Sequence, residues 1–125
     1  MIIQEAAEMY LETILVLSQT MENVRSIDVA TRMGYSRPTI SEKMKQLRQN
    51  GYITMNESGA IALTPTGRRI AGQTYERHNL LTRLLTGVGV SEETAAQDAC
   101  RIEHYISDET FARLKEHLLR IEKKP

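Results

Sequence analysis

The chain has 125 residues, of which 41% are apolar and 26% charged, and its formal net charge at neutral pH is zero. This composition is ordinary for a soluble globular protein, and no apolar run approaches the roughly 18 residues of a membrane span. Because the net charge is zero, any contact with nucleic acid must come from local clusters of basic residues.

The cysteine content and the N-terminal segment both indicate a cytoplasmic protein. A single cysteine cannot form an internal disulfide, which fits a reducing compartment. The first eight residues lack the basic start and the apolar stretch of a secretory signal peptide. We therefore expect a cytoplasmic location and no membrane partner.

Two helices are predicted in the first third of the chain. Residues 5–19 carry apolar side chains at helical spacing. A second helix is expected to begin with Ser26 as its N-cap, to hold Asp28 in its first turn and to end at Gly34.

A third helix follows after a short turn that contains Gly34. It is expected to start near Ser36, to hold Pro38 in its first turn and to end at Asn50-Gly51. Its apolar residues recur at i, i+4 and i+7, and they are Ile40, Met44 and Leu47. This spacing predicts one buried stripe and an exposed polar surface around it.

A hairpin and three further helices are predicted in the remainder. Two short runs, 52–57 and 61–64, flank Ser58-Gly59 and predict the hairpin. A long helix is expected from about Pro65 to Thr86, and a helix capped by Ser91 is expected to run to about Ile106. The last helix, opened by the segment 107–109, is expected from Thr110 to about Glu122.

The order helix, helix, tight turn, helix, hairpin is that of a winged helix-turn-helix, in which the third helix reads DNA. Small hydroxyls and basic side chains near the start of that helix suit base edges and phosphates in a major groove. The candidate DNA-binding residues are Ser36, Arg37, Pro38, Thr39, Ser41, Lys43, Lys45 and Arg48. Arg68 and Arg69 are further candidates for phosphate contacts, whereas the hairpin tip carries no basic residue. Alternatively, these basic side chains are only the solvent-exposed residues of an ordinary helix and do not bind DNA.

A second pattern lies near the C-terminal end. If the surrounding run is helical, Cys100, Glu103 and His104 lie at i, i+3 and i+4 on one face. A thiol, a carboxylate and an imidazole are ligand types of a transition-metal site. A fourth ligand must come from elsewhere, and the candidates are Met9, Glu8, Glu12 and His78. Alternatively, the cysteine and the methionine are ordinary core residues.

Several strings together resemble one family over essentially the whole chain. They are Glu8-Met-Tyr-Leu-Glu12, Ser36-Arg-Pro-Thr-Ile-Ser41, Leu63-Thr-Pro-Thr-Gly67 and Asp98-Ala-Cys-Arg-Ile-Glu-His104, the last followed by Ser107-Asp-Glu109. They resemble the DtxR/MntR family, the diphtheria-toxin-repressor type of metal-dependent transcriptional repressor.

The resemblance implies a mainly α fold with two domains. A winged helix-turn-helix DNA-binding domain is expected over residues 1–72, and a helical metal-binding and dimerisation domain over 73–125. Family members are homodimers that bind a double-stranded DNA operator, and they are not enzymes. The expected apolar residues of the dimer face are Ile102, Ile106, Phe111, Leu114 and Leu118.

The resemblance also implies a ligand set. The iron-responsive branch holds its activating metal with residues that correspond to Met9, Cys100, Glu103 and His104. The manganese-responsive branch has Asp in place of the methionine and Glu in place of the cysteine. Since sulfur ligands suit Fe(II) and later metals, Fe(II) is the expected ion and Mn(II) the second candidate. Other divalent transition metals are expected to bind in vitro.

A second metal site is less complete. His78 matches a histidine of the neighbouring family site, and Glu12 matches a carboxylate ligand of the manganese branch's second metal, so a second ion would use both with Glu103. Thr82 and Ala96 stand where the iron branch has further ligands. The sequence also ends where that branch continues into an SH3-like domain, and we expect a short form without it. Otherwise His78 and Glu12 form a structural hydrogen-bonded pair.

We therefore expect a metal-dependent repressor of metal homeostasis genes, most simply an iron-responsive one. Three alternatives remain. A metal-independent winged-helix regulator would leave Cys100 inert, a redox or small-molecule sensor would use its thiol, and a metalloenzyme would need an open coordination position.

Overall fold

The computed structural model describes residues 2–123, with side chains from residue 6 onward. Over these residues it contains six helices and one two-stranded sheet, which confirms the mainly α class. In chain order the elements are α1 (Ile2–Ser18), α2 (Ser26–Met33), α3 (Arg37–Gln49), β1 (Ile53–Met55), β2 (Ile61–Leu63), α4 (Pro65–Gly87), α5 (Glu92–Ile102) and α6 (Asp108–Lys123).

The chain divides into two compact units, one ending at Gln73 and one beginning at Thr74. The predicted domain boundary at 72/73 itself stays a prediction. In the part of the chain that the structure covers, no helix combines the length and the apolar character that crossing a bilayer requires.

The first unit is a winged helix-turn-helix built around one aliphatic core. Helix α1 packs against α2 and β2, and α2 packs against α3. Each large aliphatic side chain removed from water stabilises the fold by about 1.5–3 kcal/mol. The core residues from these elements are Leu11, Ile14, Val24, Val29, Ile40, Met44, Leu47, Ile53 and Ile61.

The turn between α2 and α3 is fixed by local backbone chemistry. Gly34 adopts φ +74° and donates its N–H to the carbonyl of Ala30, so it ends α2 in the left-handed conformation that glycine tolerates best. Helix α3 begins next to Ser36, as predicted, and Ser36 is its N-cap, which accepts a hydrogen bond from the backbone N–H of Thr39 at 3.3 Å.

Helix α2 starts at Ser26, as predicted, but its N-cap is Arg25 and not Ser26. Arg25 adopts an extended conformation. The Asp28 carboxylate accepts the backbone N–H of Arg25 at 2.9 Å. An acidic side chain in the first turn therefore supplies the capping interaction that the sequence had suggested for the serine.

The wing is a short antiparallel hairpin in which Ile53 pairs with Leu63 and Met55 with Ile61. Helix α4 begins directly after it. A Cβ atom on Gly67 would lie 2.0 Å from the backbone oxygen of Tyr52, so only glycine allows α4 to start this close to the wing. The hydroxyl of Thr64 donates to the carbonyl of Gly51 at 2.7 Å and holds the same junction.

The second unit consists of most of α4 with α5 and α6. Ser91 caps α5 as predicted, and Ser107 caps α6 by accepting the N–H of Thr110 at 3.1 Å. Helix α5 ends at Ile102, four residues earlier than predicted, because the chain must turn before Ser107 starts the next helix. The backbone N–H of Tyr105 bonds to the carbonyl of Ile102 at 3.0 Å, which closes this turn tightly.

Candidate functional site

Two predicted metal ligands lie in the turn between α5 and α6. Glu103 is the C-cap residue of α5, retains helical dihedral angles and bonds through its N–H to the carbonyl of Ala99 at 2.9 Å. His104 follows in the turn. The expectation that Cys100, Glu103 and His104 share one continuous helix is therefore wrong, since the α-helix stops at Ile102.

The Glu103 carboxylate lies between two imidazoles of the second unit. Its Oε2 is 2.9 Å from Nδ1 of His78, which projects from α4. Its Oε1 is 3.3 Å from Nε2 of His104. The side chain of Glu103 is 0% exposed, that of His104 is 2% exposed and that of His78 is 28% exposed. We call these three residues the His–Glu–His cluster.

The His–Glu–His cluster fits a bound cation. A buried carboxylate loses the hydration of its charge and needs hydrogen bonds or a counterion to compensate. Among the described residues, Oε1 of Glu103 accepts no hydrogen bond, although its side chain is fully buried. Carboxylate and imidazole donors together suit a divalent transition metal, which would supply the missing compensation.

The other predicted ligands have different environments. Cys100 is exposed on α5, two residues before the helix ends. Met9 and Glu12 are half-buried on α1 in the first unit, at i and i+3, so both lie on one side of that helix. Thr82 donates its hydroxyl to the carbonyl of His78 at 2.8 Å.

Sequence inspection did not identify Arg77, which contacts the turn that carries Glu103 and His104. Its Nη1 donates to the carbonyl of Ile106 at 3.1 Å and to that of Glu103 at 3.4 Å. No spacing rule predicts these contacts, because the partners lie 26 and 29 positions along the chain. The one sequence feature that could have pointed to Arg77 is its position directly before His78.

The candidate DNA-binding residues lie on α3 and at its N-terminus, as predicted from the buried stripe. All of them are exposed except Lys43, which is half-buried: Ser36, Arg37, Pro38, Thr39, Ser41, Lys45 and Arg48. Arg37 and Ser41 line an open depression of about 300 Å³ together with Arg25, which sequence inspection missed. This depression thus combines two guanidinium groups with serine hydroxyls, beside the apolar side chains of Ile27 and Met55.

Apolar residues remain exposed in the second unit. Leu118, one of the residues predicted for the dimer face, is 6% exposed in the single chain and belongs to its buried core. The remaining members of that predicted set are half-buried: Ile102, Ile106, Phe111 and Leu114. The large exposed side chains are Val88, Tyr105, Leu119 and Ile121.

A winged-helix unit followed by a helical unit with a buried His–Glu–His cluster defines a class of DNA-binding proteins with a candidate metal centre. Two family models match this chain. The "Iron dependent repressor, N-terminal DNA binding domain" matches residues 3–61, and the "Iron dependent repressor, metal binding and dimerisation domain" matches residues 64–125. The chain belongs to the DtxR/MntR family of metal-dependent transcriptional regulators, as the sequence resemblance implied.

The curated relatives include transcriptional regulators named MntR and diphtheria toxin repressors. The chain is 36% identical over 108 residues to the transcriptional regulator MntR of Salmonella typhimurium, covering 86% of this chain and 69% of the relative. It is 32% identical over 122 residues to the diphtheria toxin repressor of Corynebacterium diphtheriae, covering 97% and 54%.

Solved structures agree with this assignment. A manganese-dependent transcriptional repressor in complex with manganese superposes with a TM-score of 0.83 at 32% identity, covering 90% of this chain and 52% of the other. The manganese regulator SloR superposes with a TM-score of 0.78 at 27% identity, covering 90% and 53%. The chain thus spans about half the length of these two structures.

Proposed function

We propose that this protein is a transcriptional repressor whose binding to operator DNA depends on a divalent transition metal. The single observation that carries the proposal is the fully buried Glu103 carboxylate between His78 and His104, with one oxygen that accepts no hydrogen bond among the described residues. Family membership and the polar surface of α3 support the DNA-binding part.

The proposed activating site consists of Met9, Cys100, Glu103 and His104. Cys100 would bind as a thiolate, and its exposure leaves the thiol accessible to an incoming ion. His78 and Glu12, with Glu103, are the proposed ligands of a second ion. When bound, the metal supplies positive charge that compensates for the carboxylates and the thiolate at one point.

The donor atoms favour Fe(II) as the physiological ion. A thioether and a thiolate are softer than the carboxylates that suit Mn(II), so replacing oxygen by sulfur shifts the preference toward Fe(II) and later metals. Iron appears in the names of both matching family models and manganese in the names of both superposed structures, and Mn(II) is the second candidate. Zn(II), Co(II) and Ni(II) are expected to bind in vitro because affinity follows the Irving–Williams order.

The proposed switch depends on ligands that belong to both units. Met9 and Glu12 lie on α1, and α1 shares the core of the first unit with α3 through Leu11, Ile14 and Ile40. Metal binding that fixes the position of α1 therefore also constrains α3, the helix proposed to read DNA. The metal shifts the population only if it binds the DNA-competent arrangement more tightly than the other arrangements.

The proposal includes a homodimer in the cytoplasm. Two copies of α3 would read two half-sites of one operator, and half-site spacing would follow from the dimer. The exposed apolar side chains of the second unit would supply the dimer contact, with Leu119 and Ile121 in place of the buried Leu118.

The proposal is tested by anaerobic DNA-binding titrations. An operator is first selected from a random DNA pool with metal-loaded protein. Binding is then measured by fluorescence anisotropy with Fe(II), with Mn(II) and with a chelator, for wild type and for Met9→Ala. We expect tight binding only with metal and a weaker Fe(II) response in the variant. Equal DNA binding with the chelator present would exclude the metal switch and favour a metal-independent regulator.

A further inference from the structure

Arg77 joins three parts of the second unit at one guanidinium group. Its Nη1 donates to the carbonyls of Ile106 and Glu103, at 3.1 and 3.4 Å. Its Nη2 forms an ion pair with Asp108, in the first turn of α6. The guanidinium carbon lies 5.2 Å from the centre of the Phe111 ring. One side chain of α4 therefore contacts the end of α5, the following turn and the start of α6.

The carbonyl contacts and the ring contact account for most of this interaction. Asp108 is 99% exposed, and such ion pairs contribute little because water screens them. Arg77, by contrast, is only 18% exposed. The carbonyls at the end of a helix lack intrahelical partners, so a planar cation with several fixed donors is well suited to bind them. The Phe111 ring packs on the flat face of the guanidinium, so the N–H groups at the edge of the guanidinium remain free to donate to the carbonyls.

Two neighbouring residues of α4 contact the side chain and the backbone of Glu103. His78 lies 2.9 Å from the Glu103 carboxylate, and Arg77, its neighbour in the chain, contacts the Glu103 backbone carbonyl. The second carbonyl that Arg77 binds, that of Ile106, lies at the other end of the turn that contains His104. The backbone on both sides of His104 is therefore fixed from α4.

We infer that Arg77 is a positioning residue of the metal centre, which holds the α5–α6 turn so that Glu103 and His104 are preorganised for the ion. This inference rests on the proposed function. Residues that orient metal ligands without touching the metal typically change its affinity by about 10–100-fold when they are substituted. Arg77 acts through the backbone of the ligands, so its effect is on their geometry.

The test uses Co(II) as the probe and three variants of the full chain. Arg77→Gln removes the cation and most of its donors, and Arg77→Lys keeps the charge but lacks the planar fork. The matched control is Arg83→Gln, because Arg83 lies on the same helix and pairs with Glu122 near the end of α6. Anaerobic absorption titrations give the Co(II) affinity and the ligand-field spectrum, and circular dichroism reports the fold.

We expect Arg77→Gln to weaken Co(II) binding by about 10–100-fold and to alter the ligand-field bands, with a smaller loss for Arg77→Lys. Arg83→Gln is expected to keep the wild-type affinity and spectrum. An unchanged Co(II) affinity and spectrum in folded Arg77→Gln overturns the inference. If Arg77→Gln does not fold, the same result in folded Arg77→Lys overturns it. Equal losses in the Arg77 and Arg83 variants also overturn it, since they would indicate general destabilisation. Absence of Co(II) binding by wild type instead overturns the proposed function together with the inference.

Discussion

Glu103 and His78 are 25 positions apart, yet Oε2 of the carboxylate lies 2.9 Å from Nδ1 of the imidazole. The carboxylate is fully buried and its second oxygen accepts no hydrogen bond among the described residues. Among the described residues, Oε1 has the 3.3 Å contact with Nε2 of His104 to offset its lost hydration, which costs a carboxylate several kcal/mol, and a bound cation would offset more of that cost. The relationship therefore favours a binding site over a purely structural pair.

Substitution of Glu103 by glutamine separates metal binding from stability. Because the amide removes a buried charge but keeps the shape, we expect metal-free Glu103→Gln protein to be as stable as wild type or more stable by about 1 kcal/mol. Wild type is expected to gain about 2.7 kcal/mol at a metal concentration 100 times the dissociation constant, and the variant is expected to lose this gain. Thermal unfolding with chelator and with Mn(II) measures both effects.

The control is Glu116→Gln, which changes an exposed carboxylate on α6 that is paired only with the nearby Arg113 in the contacts observed. It should retain the full stabilisation by metal. Equal stabilisation of wild type and Glu103→Gln by metal would contradict the assignment of this carboxylate as a ligand.

Gly67 is expected to be intolerant of substitution although it lies inside a helix. A Cβ atom there would approach the carbonyl oxygen of Tyr52 to 2.0 Å, so the wing and α4 would have to separate. We expect Gly67→Ala to lower the free energy of unfolding by about 2–4 kcal/mol, as for other overpacked positions. Urea denaturation measures the change.

Gly72 on the same helix is the matched control, because a Cβ there meets no atom within 4 Å. Alanine has the higher helix propensity, so Gly72→Ala should stabilise the protein by about 0.5–1 kcal/mol. A similar change in both variants would show that helix propensity, and not the contact with Tyr52, determines the result.

Arg37 is expected to contact a DNA phosphate. It lies at the exposed N-terminus of α3 and lines the same depression as Arg25. Removing one phosphate contact lowers the magnitude of the slope of the logarithm of the binding constant against the logarithm of salt concentration by about 0.9, so a homodimer that loses one contact in each half-site shows a reduction of about 1.8. We expect this reduction for Arg37→Ala and no change for Arg120→Ala, an exposed arginine of α6. An unchanged slope for Arg37→Ala would place Arg37 outside the DNA contact.

Tyr10 is expected to make stability depend on pH in the alkaline range. Burial raises the pKa of its phenol above the ordinary value of 10.0, and the neighbouring Tyr35 raises it further. A raised pKa in the folded state means that the unfolded chain loses the proton first. The contribution to stability is therefore complete below the unfolded pKa and is lost as the pH rises through the folded value.

Tyr10→Phe should remove this contribution, so its stability should fall less steeply between about pH 9 and pH 12 than that of wild type. Urea midpoints across that range provide the measurement, and Tyr105→Phe, at an exposed position, is the control. Parallel curves for wild type and Tyr10→Phe would argue against a raised pKa at this residue.

The sequence by itself determined the features that depend on residues three or four positions apart. The buried stripe of Ile40, Met44 and Leu47 fixed which side of α3 is exposed, and Ser36, Gly34 and Ser91 correctly marked helix ends. These signals are reliable because caps and helical faces arise from local hydrogen bonds and from the helical repeat. Together with the family strings, they were sufficient for the fold class and the family.

Only the tertiary structure decided the environment of the candidate site. The burial of Glu103, its contact with His78 and the contacts of Arg77 join residues 25 to 31 positions apart. It also decided that α5 ends at Ile102, where a turn follows before α6, and that Gly67 lies against Tyr52. Such contacts depend on how helices pack against one another, and packing is set by many weak interactions that no single spacing in the sequence encodes.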